Sequence, residues 1–126
     1  MKNHILLIED DSFITQMYAT KIDELGFSVL TASNQSEVKD ILTQSNNQVS
    51  LILLDLILPD VGGFDILQWI KKKTQLKDIP VVVLSNLSSQ ADINQAFELG
   101  AVDYIVKSNY TPTEVMRTVK KYLPTS

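Results

Sequence analysis

The sequence predicts an α/β domain of the doubly wound (βα)5 type, a sandwich in which a five-stranded parallel sheet carries helices on both faces. Two observations lead there. Short apolar or β-branched runs alternate strictly with segments whose apolar residues recur at helical spacing. Polar residues able to do chemistry then collect just after those runs, where the crevice of such a sheet lies.

Ile5–Ile8 is the first predicted strand, and Ile14, Met17, Tyr18, Ile22 and Leu25 follow on one helical face, with Gly26 where a C-cap belongs. Phe27–Thr31 is the second strand, followed by Val38, Ile41 and Leu42, with Asn34 and Glu37 as a helix-start signal. Leu51–Leu54 is apolar throughout and reads as a strand buried on both faces, leading to Ile66, Leu67 and Ile70. Val81–Leu84 has the same character and precedes Ile93, Ala96 and Phe97, closed by Gly100. Val102–Val106 is the last strand. After it, Thr111-Pro112-Thr113-Glu114 combines a capping box with proline at the first helical position, ahead of Val115, Val119, Tyr122 and Leu123. Trp69 and Tyr110 have packing explanations, and His4, before the first strand, reads as exposed.

The chain of 126 residues suits one domain with its own core. Its longest aliphatic runs have four residues, far below the roughly 20 of a membrane-spanning helix, and no secretory signal opens it. A net charge of −4 argues against a nucleic-acid surface. The absence of cysteine removes disulfides, thiolate metal sites and thiol nucleophiles. There is no internal repeat, and Pro124-Thr125-Ser126 is too short to carry a domain. We expect one soluble cytoplasmic unit over residues 1–126, without membrane insertion and without direct contact to nucleic acid.

Within LILLDLILPDVGG, at residues 51–63, Asp55 stands among aliphatic neighbours. An ionised carboxylate sealed in hydrocarbon costs several kcal/mol unless a cation or hydrogen bonds compensate it. The other strand ends supply partners: Glu9, Asp10 and Asp11 after the first, Ser85 after the fourth and Lys107 after the fifth. Clustered carboxylates need a raised pKa or a bound cation, and an all-oxygen set without His or Cys favours a hard ion such as Mg2+. That cation would prepare Asp55 as a nucleophile toward a phosphoryl group, with the lysine and the hydroxyl holding phosphoryl oxygens. Each residue taken singly also has a plain reading. The acidic trio suits a helix N-terminus, Asp55 a turn, Ser85 a cap, Lys107 a solvated surface, and Tyr104 a half-buried aromatic at the sheet margin. The joint position at one edge favours the site.

The segments ILLIEDD, LILLDLILPDVGG, IPVVVLSN and GAVDYIVK resemble, in order and over nearly the whole chain, the receiver domain of two-component response regulators, in particular its stand-alone chemotaxis-regulator-like form. The resemblance implies a flavodoxin-like sheet in strand order 2-1-3-4-5 and no output domain. It implies Asp55 as phosphoacceptor, Asp10 as a direct Mg2+ ligand with Asp55 and the backbone carbonyl of Ile57, and Glu9 as an indirect one. Ser85 and Lys107 match the hydroxyl and lysine that hold the phosphoryl group, Tyr104 the aromatic switch, and Pro59 and Gly63 the turn after the phosphorylation site. The implied partners are a histidine kinase or histidine phosphotransfer protein as donor and a separate downstream protein, met through the fourth helix, fifth strand and fifth helix, with a homodimer on phosphorylation as an option. Phosphoryl transfer and autodephosphorylation would be self-catalysed.

Three positions depart from the family pattern. Ser108 follows Lys107 where a cis proline is usual, so the switch loop is expected to differ. Asn86 follows Ser85 where a small residue is usual, near the phosphoryl group and attacking water. Ile57 sets an aliphatic side chain beside the site, bearing on phosphate lifetime. Rival readings are weaker. An unphosphorylated binding module would not need Glu9, Asp10, Asp55, Ser85 and Lys107 together. A flavin-phosphate binder wants a Ser/Thr/Gly-rich first loop. An aspartyl hydrolase wants an acid/base at position 57.

Overall fold

The computed structural model describes residues 4–45, 48–60 and 62–123, so the tail from Pro124 and Val61 within the Pro59–Gly63 turn lie outside the described residues. Strands β1 (His4–Ile8), β2 (Ser28–Ala32), β3 (Val49–Leu54), β4 (Val81–Ser85) and β5 (Asp103–Val106) alternate with helices α1 (Ser12–Glu24), α2 (Gln35–Ser45), α3 (Gly63–Lys72), α4 (Gln90–Glu98) and α5 (Pro112–Lys120). All pairings are parallel and the order is β2-β1-β3-β4-β5, as the resemblance implied.

Side chains alternate across a strand with period two, and here both faces are covered. Ile5, Leu7, Leu51, Leu53, Val82, Leu84 and Ile105 pack with Tyr18 and Ile22 of α1 and with Val115, Met116 and Val119 of α5. The intervening Leu6, Ile8, Ile52, Leu54, Val81 and Val83 pack with Val38, Leu42, Ile66, Leu67, Ile70 and Ala96 from α2, α3 and α4. Every residue of β3 and β4 is buried, which explains the apolar runs Leu51–Leu54 and Val81–Leu84 within them.

The strand bounds differ from expectation where sequence offers little signal. β2 runs from Ser28 rather than Phe27, because pairing with β1 begins at His4↔Ser28. β5 begins at Asp103, since Val102 spends its N–H on Val81 O at 2.9 Å before the β4 ladder starts. His4 is not an exposed residue before the strand. It opens β1 half-buried, its carbonyl accepts from Ser50 Oγ at 3.2 Å, and its Nδ1 is buried without a partner among the described residues.

Helix ends follow their local chemistry. Gly26 and Gly100 adopt φ of 89° and 109°, the left-handed region that ends a helix cheaply only for glycine. Asn34 Oδ1 accepts from Glu37 N–H at 2.9 Å, but Glu37 turns its carboxylate to Ser33, one residue earlier than a capping box would place it. At α5 the box is complete: Thr111 Oγ1 accepts from Glu114 N–H at 3.2 Å and Glu114 Oε1 from Thr111 N–H at 2.8 Å.

Thr111→Ala should therefore lower unfolding stability by about 1 kcal/mol in urea titrations. The Thr111 N–H, the Thr111 hydroxyl and the Arg117 charge hold Glu114 below the ordinary carboxylate value. A depressed folded pKa gives stability that is present above the unfolded value of 4.5 and is lost as pH falls through the lower folded one. Glu114→Gln should flatten that part of the acid limb in thermal unfolding, and an unchanged limb would contradict the box.

Candidate functional site

Carried one residue past each strand end, the alternation of faces sends Glu9, Asp55 and Lys107 toward the side of α1 and α5. Ser85, the last residue of β4, falls on the side of α2, α3 and α4, as does Tyr104. Parallel strands end at one edge, which therefore carries Glu9, Asp55, Ser85 and Lys107.

Glu9 and Asp55 are only 5% and 6% exposed. What compensates them is Lys107, whose Nζ donates to Asp55 Oδ2 at 2.9 Å and to Glu9 Oε1. Burial disfavours the ammonium, but its hydrogen bonds and charge attraction to both carboxylates hold Lys107 above the ordinary lysine value. Burial pushes Glu9 up, against the pull of Lys107 and of the Asp11 N–H. The other Asp55 oxygen accepts from Ile57 N–H at 3.1 Å, and Asp55 N–H itself donates to Ile8 O at 3.0 Å.

The acidic trio divides its work. Asp11 caps α1, accepting from Ile14 N–H at 3.0 Å, and its own N–H donates to Glu9 Oε2 at 3.2 Å. The plain helix-cap reading holds for Asp11 alone. Glu9, Asp10 and Asp55 each bring a carboxylate oxygen within 4.8 Å of the others, an all-oxygen set of the kind a hard divalent cation accepts. An open cleft of about 360 Å3 continues from Glu9 and Asp10 past Thr31, Ser33 and Glu37.

Ser85 is fully buried, and its Oγ accepts a long bond of 3.4 Å from Leu87 N–H. Leu87 O in turn accepts from the Tyr104 hydroxyl at 2.6 Å, so the half-buried ring ties β5 to the loop after Ser85. Burial, with the charges of Asp92 and Asp55, raises the Tyr104 phenol. The Asn86 Oδ1 accepts from Ser108 N–H at 3.1 Å, and Asn86 lines an open cleft together with Lys107. No described peptide bond is cis, and Lys107–Asn109 forms a single 3-10 turn. Ile57 is 52% exposed, two residues after Asp55.

Two features escaped sequence reasoning. Tyr18, 3% exposed on α1, lies close enough for the Lys107 and Glu9 charges to act on its phenol, yet its spacing marked it only as core. The close approach at Gly63 was also illegible. A Cβ there would sit 2.5 Å from Asp55 O and from Leu56 Cα, so glycine lets the start of α3 press on the backbone that carries Asp55.

The model of the response regulator receiver domain family matches residues 5–120. The chain belongs to that family. It is 34% identical over 119 residues to the transcriptional regulatory protein GltR of Pseudomonas aeruginosa, covering 94% of this chain and 48% of that one. The non-phosphorylated HemR receiver domain of Leptospira biflexa superposes with a TM-score of 0.88 at 30% identity, covering 99% of this receiver domain and 97% of that chain. The phosphorylated cyanobacterial phytochrome response regulator RcpA gives 0.82 at 30% identity, covering 96% and 91%. The receiver domain spans about half the length of the curated relatives it matches. Among the described residues no helix is long and apolar enough to cross a membrane.

Lys107→Met strips two buried carboxylates of their cation and should cost about 3 kcal/mol in urea unfolding without divalent ions. Mg2+ should restore part of the loss by binding the folded state alone. Gly63→Ala should cost roughly 1–3 kcal/mol and shift the Asp55 and Leu56 amide resonances. A variant with wild-type stability and spectrum would show that the approach relaxes freely.

Proposed function

We propose that this receiver domain is the phosphoacceptor of a two-component phosphorelay. Asp55 takes a phosphoryl group from a phosphohistidine of a histidine kinase or histidine phosphotransfer protein and thereby changes the affinity of a surface for a downstream partner. The observation that carries the reading is the single ammonium of Lys107 shared between buried Asp55 and Glu9, at the edge where Ser85 also ends its strand.

An Asp55 carboxylate oxygen attacks phosphorus in line, the P–N bond to the donor imidazole breaks, and the electron pair returns to the imidazole nitrogen, which keeps or regains a proton. Lys107 turns its ammonium from Glu9 toward the new phosphoryl oxygens, and the Ser85 hydroxyl exchanges its long bond with Leu87 N–H for one to the phosphoryl group. Leu87 also holds Tyr104 through its carbonyl, so a shift of Ser85 is felt by the aromatic ring. We assign the downstream partner or a second phosphorylated copy to the α4, β5 and α5 face; Phe97, on α4, and Val102, at the entry to β5, are exposed.

The oxygen donor set of Glu9, Asp10 and Asp55 fits Mg2+; Asp10, Asp55 and the Ile57 carbonyl would hold it directly and Glu9 indirectly. When bound, Mg2+ supplies positive charge that offsets the carboxylates and the transferring phosphoryl oxygens. That RcpA was crystallised phosphorylated supports the same chemistry in this chain, and the proposed setting is the cytoplasm.

Incubation with acetyl phosphate and Mg2+ should add one phosphoryl mass, mapped to Asp55, and Asp55→Asn or EDTA should abolish the gain. Asp10→Asn should weaken Mg2+ binding roughly tenfold or more by calorimetry. Absence of any Asp55-dependent mass gain in the wild type sinks the proposal.

A further inference from the structure

The residues that depart from the family pattern after Ser85 and after Lys107 touch each other: Ser108 N–H donates to Asn86 Oδ1 at 3.1 Å. We infer that Asn86 is a positioning residue that holds Lys107 in reach of Asp55 and Glu9 by extending the pairing of β4 and β5 past the end of the sheet. The inference rests on the phosphoacceptor reading for its consequence, though not for its geometry.

The backbone register of β4 with β5 ends at Ser85↔Val106. Beyond it the chain leaves the sheet and enters the turn Lys107–Asn109, which without further pairing would set Lys107 on a loose connection. The Asn86 side chain supplies the missing acceptor. Lys107 is thereby gripped on both sides, by strand pairing at Val106 and by the Asn86 bond at Ser108. Its ammonium must span to two other strand ends, where misplacement by about an ångström is costly to a transfer step.

The bond also pairs the two departures chemically. Proline at 108 has no N–H to give, and a small aliphatic residue at 86 has no acceptor to offer. The bond needs both departures, a residue with a backbone N–H at 108 and a side-chain acceptor at 86. The same bond joins the loop that starts at Ser85 to the turn that starts at Lys107. Displacement of either residue toward a phosphoryl group is therefore transmitted to the other.

The test follows the slowly exchanging Lys107 ammonium signal and Ser108 amide exchange by NMR in unphosphorylated protein, and separately the rate of acetyl phosphate labelling. Asn86→Ala should remove Ser108 amide protection, broaden the Lys107 ammonium signal and slow labelling roughly three- to tenfold, the range one such hydrogen bond supports. Ser108→Ala keeps the N–H and should keep both NMR signatures. Ser108→Pro should behave as Asn86→Ala, and the double variant should be no worse than either, since both delete one bond. Asn86→Ala with an intact ammonium signal and an unchanged rate, or additive losses in the double variant, would overturn the inference. Loss of the NMR signatures in a protein that takes no label supports the positioning role and removes only the phosphoacceptor reading. Asn86→Ala is a truncation at an exposed position, so the NMR arm stands even if Ser108→Pro does not fold.

Discussion

One ammonium shared between two buried carboxylates is the constraint around which the active edge is arranged. Glu9, Asp55 and Lys107 come from the ends of β1, β3 and β5, and no two of them are neighbours in sequence. Desolvating such charges is unfavourable, and their attraction compensates only when geometry is good and the remaining lone pairs find donors. Here the donors are local: Ile57 N–H for Asp55 and Asp11 N–H for Glu9. The sheet must therefore bring three strand ends into register at one edge, which gives a stability reason for the same geometry that chemistry wants.

The remainder of the edge is tied together through the loop after β4. Ser85, Asn86 and Leu87 are consecutive, and each makes a different link: Ser85 Oγ to Leu87 N–H, Asn86 to Ser108 N–H, Leu87 O to Tyr104. Two of those links reach β5 and its following turn. A parallel strand pair thus continues as side-chain contacts after its backbone ladder has ended. A segment so connected would transmit the displacement of one member to the others, which is what a two-state surface would require.

How much of this was legible depended on whether the signal was local. Helix stops at Gly26 and Gly100 and the start at Thr111 follow from backbone sterics and capping chemistry within a few residues, so sequence reading found them. The apolar runs of β3 and β4 announced strands covered on both faces. That Glu9, Asp55, Ser85 and Lys107 would share one edge was legible because each ends or directly follows a strand, and strand ends of a parallel sheet share an edge. The strand bounds at Ser28 and Asp103, the burial of His4 and the closeness of Gly63 to the Asp55 backbone all depend on register and packing between distant segments. So does the bond between Asn86 and Ser108. Sequence showed each as a separate anomaly, and only the register of β4 on β5 shows that they are one feature.

Charge balance at the edge makes a further point about how such a site can respond. Glu9, Asp10 and Asp55 offer three carboxylates against the single Lys107 ammonium, so the edge is formally anionic before any phosphoryl group arrives. A phosphoryl dianion would add to that excess, and Lys107 cannot serve it without loosening its hold on Glu9. On the proposed reading the residues would couple two demands: a divalent cation at the acidic set, and release of the lysine from its resting partner. Because that lysine is joined through Ser108 to the loop carrying Ser85, a rearrangement that neutralised the edge would also pull on that loop.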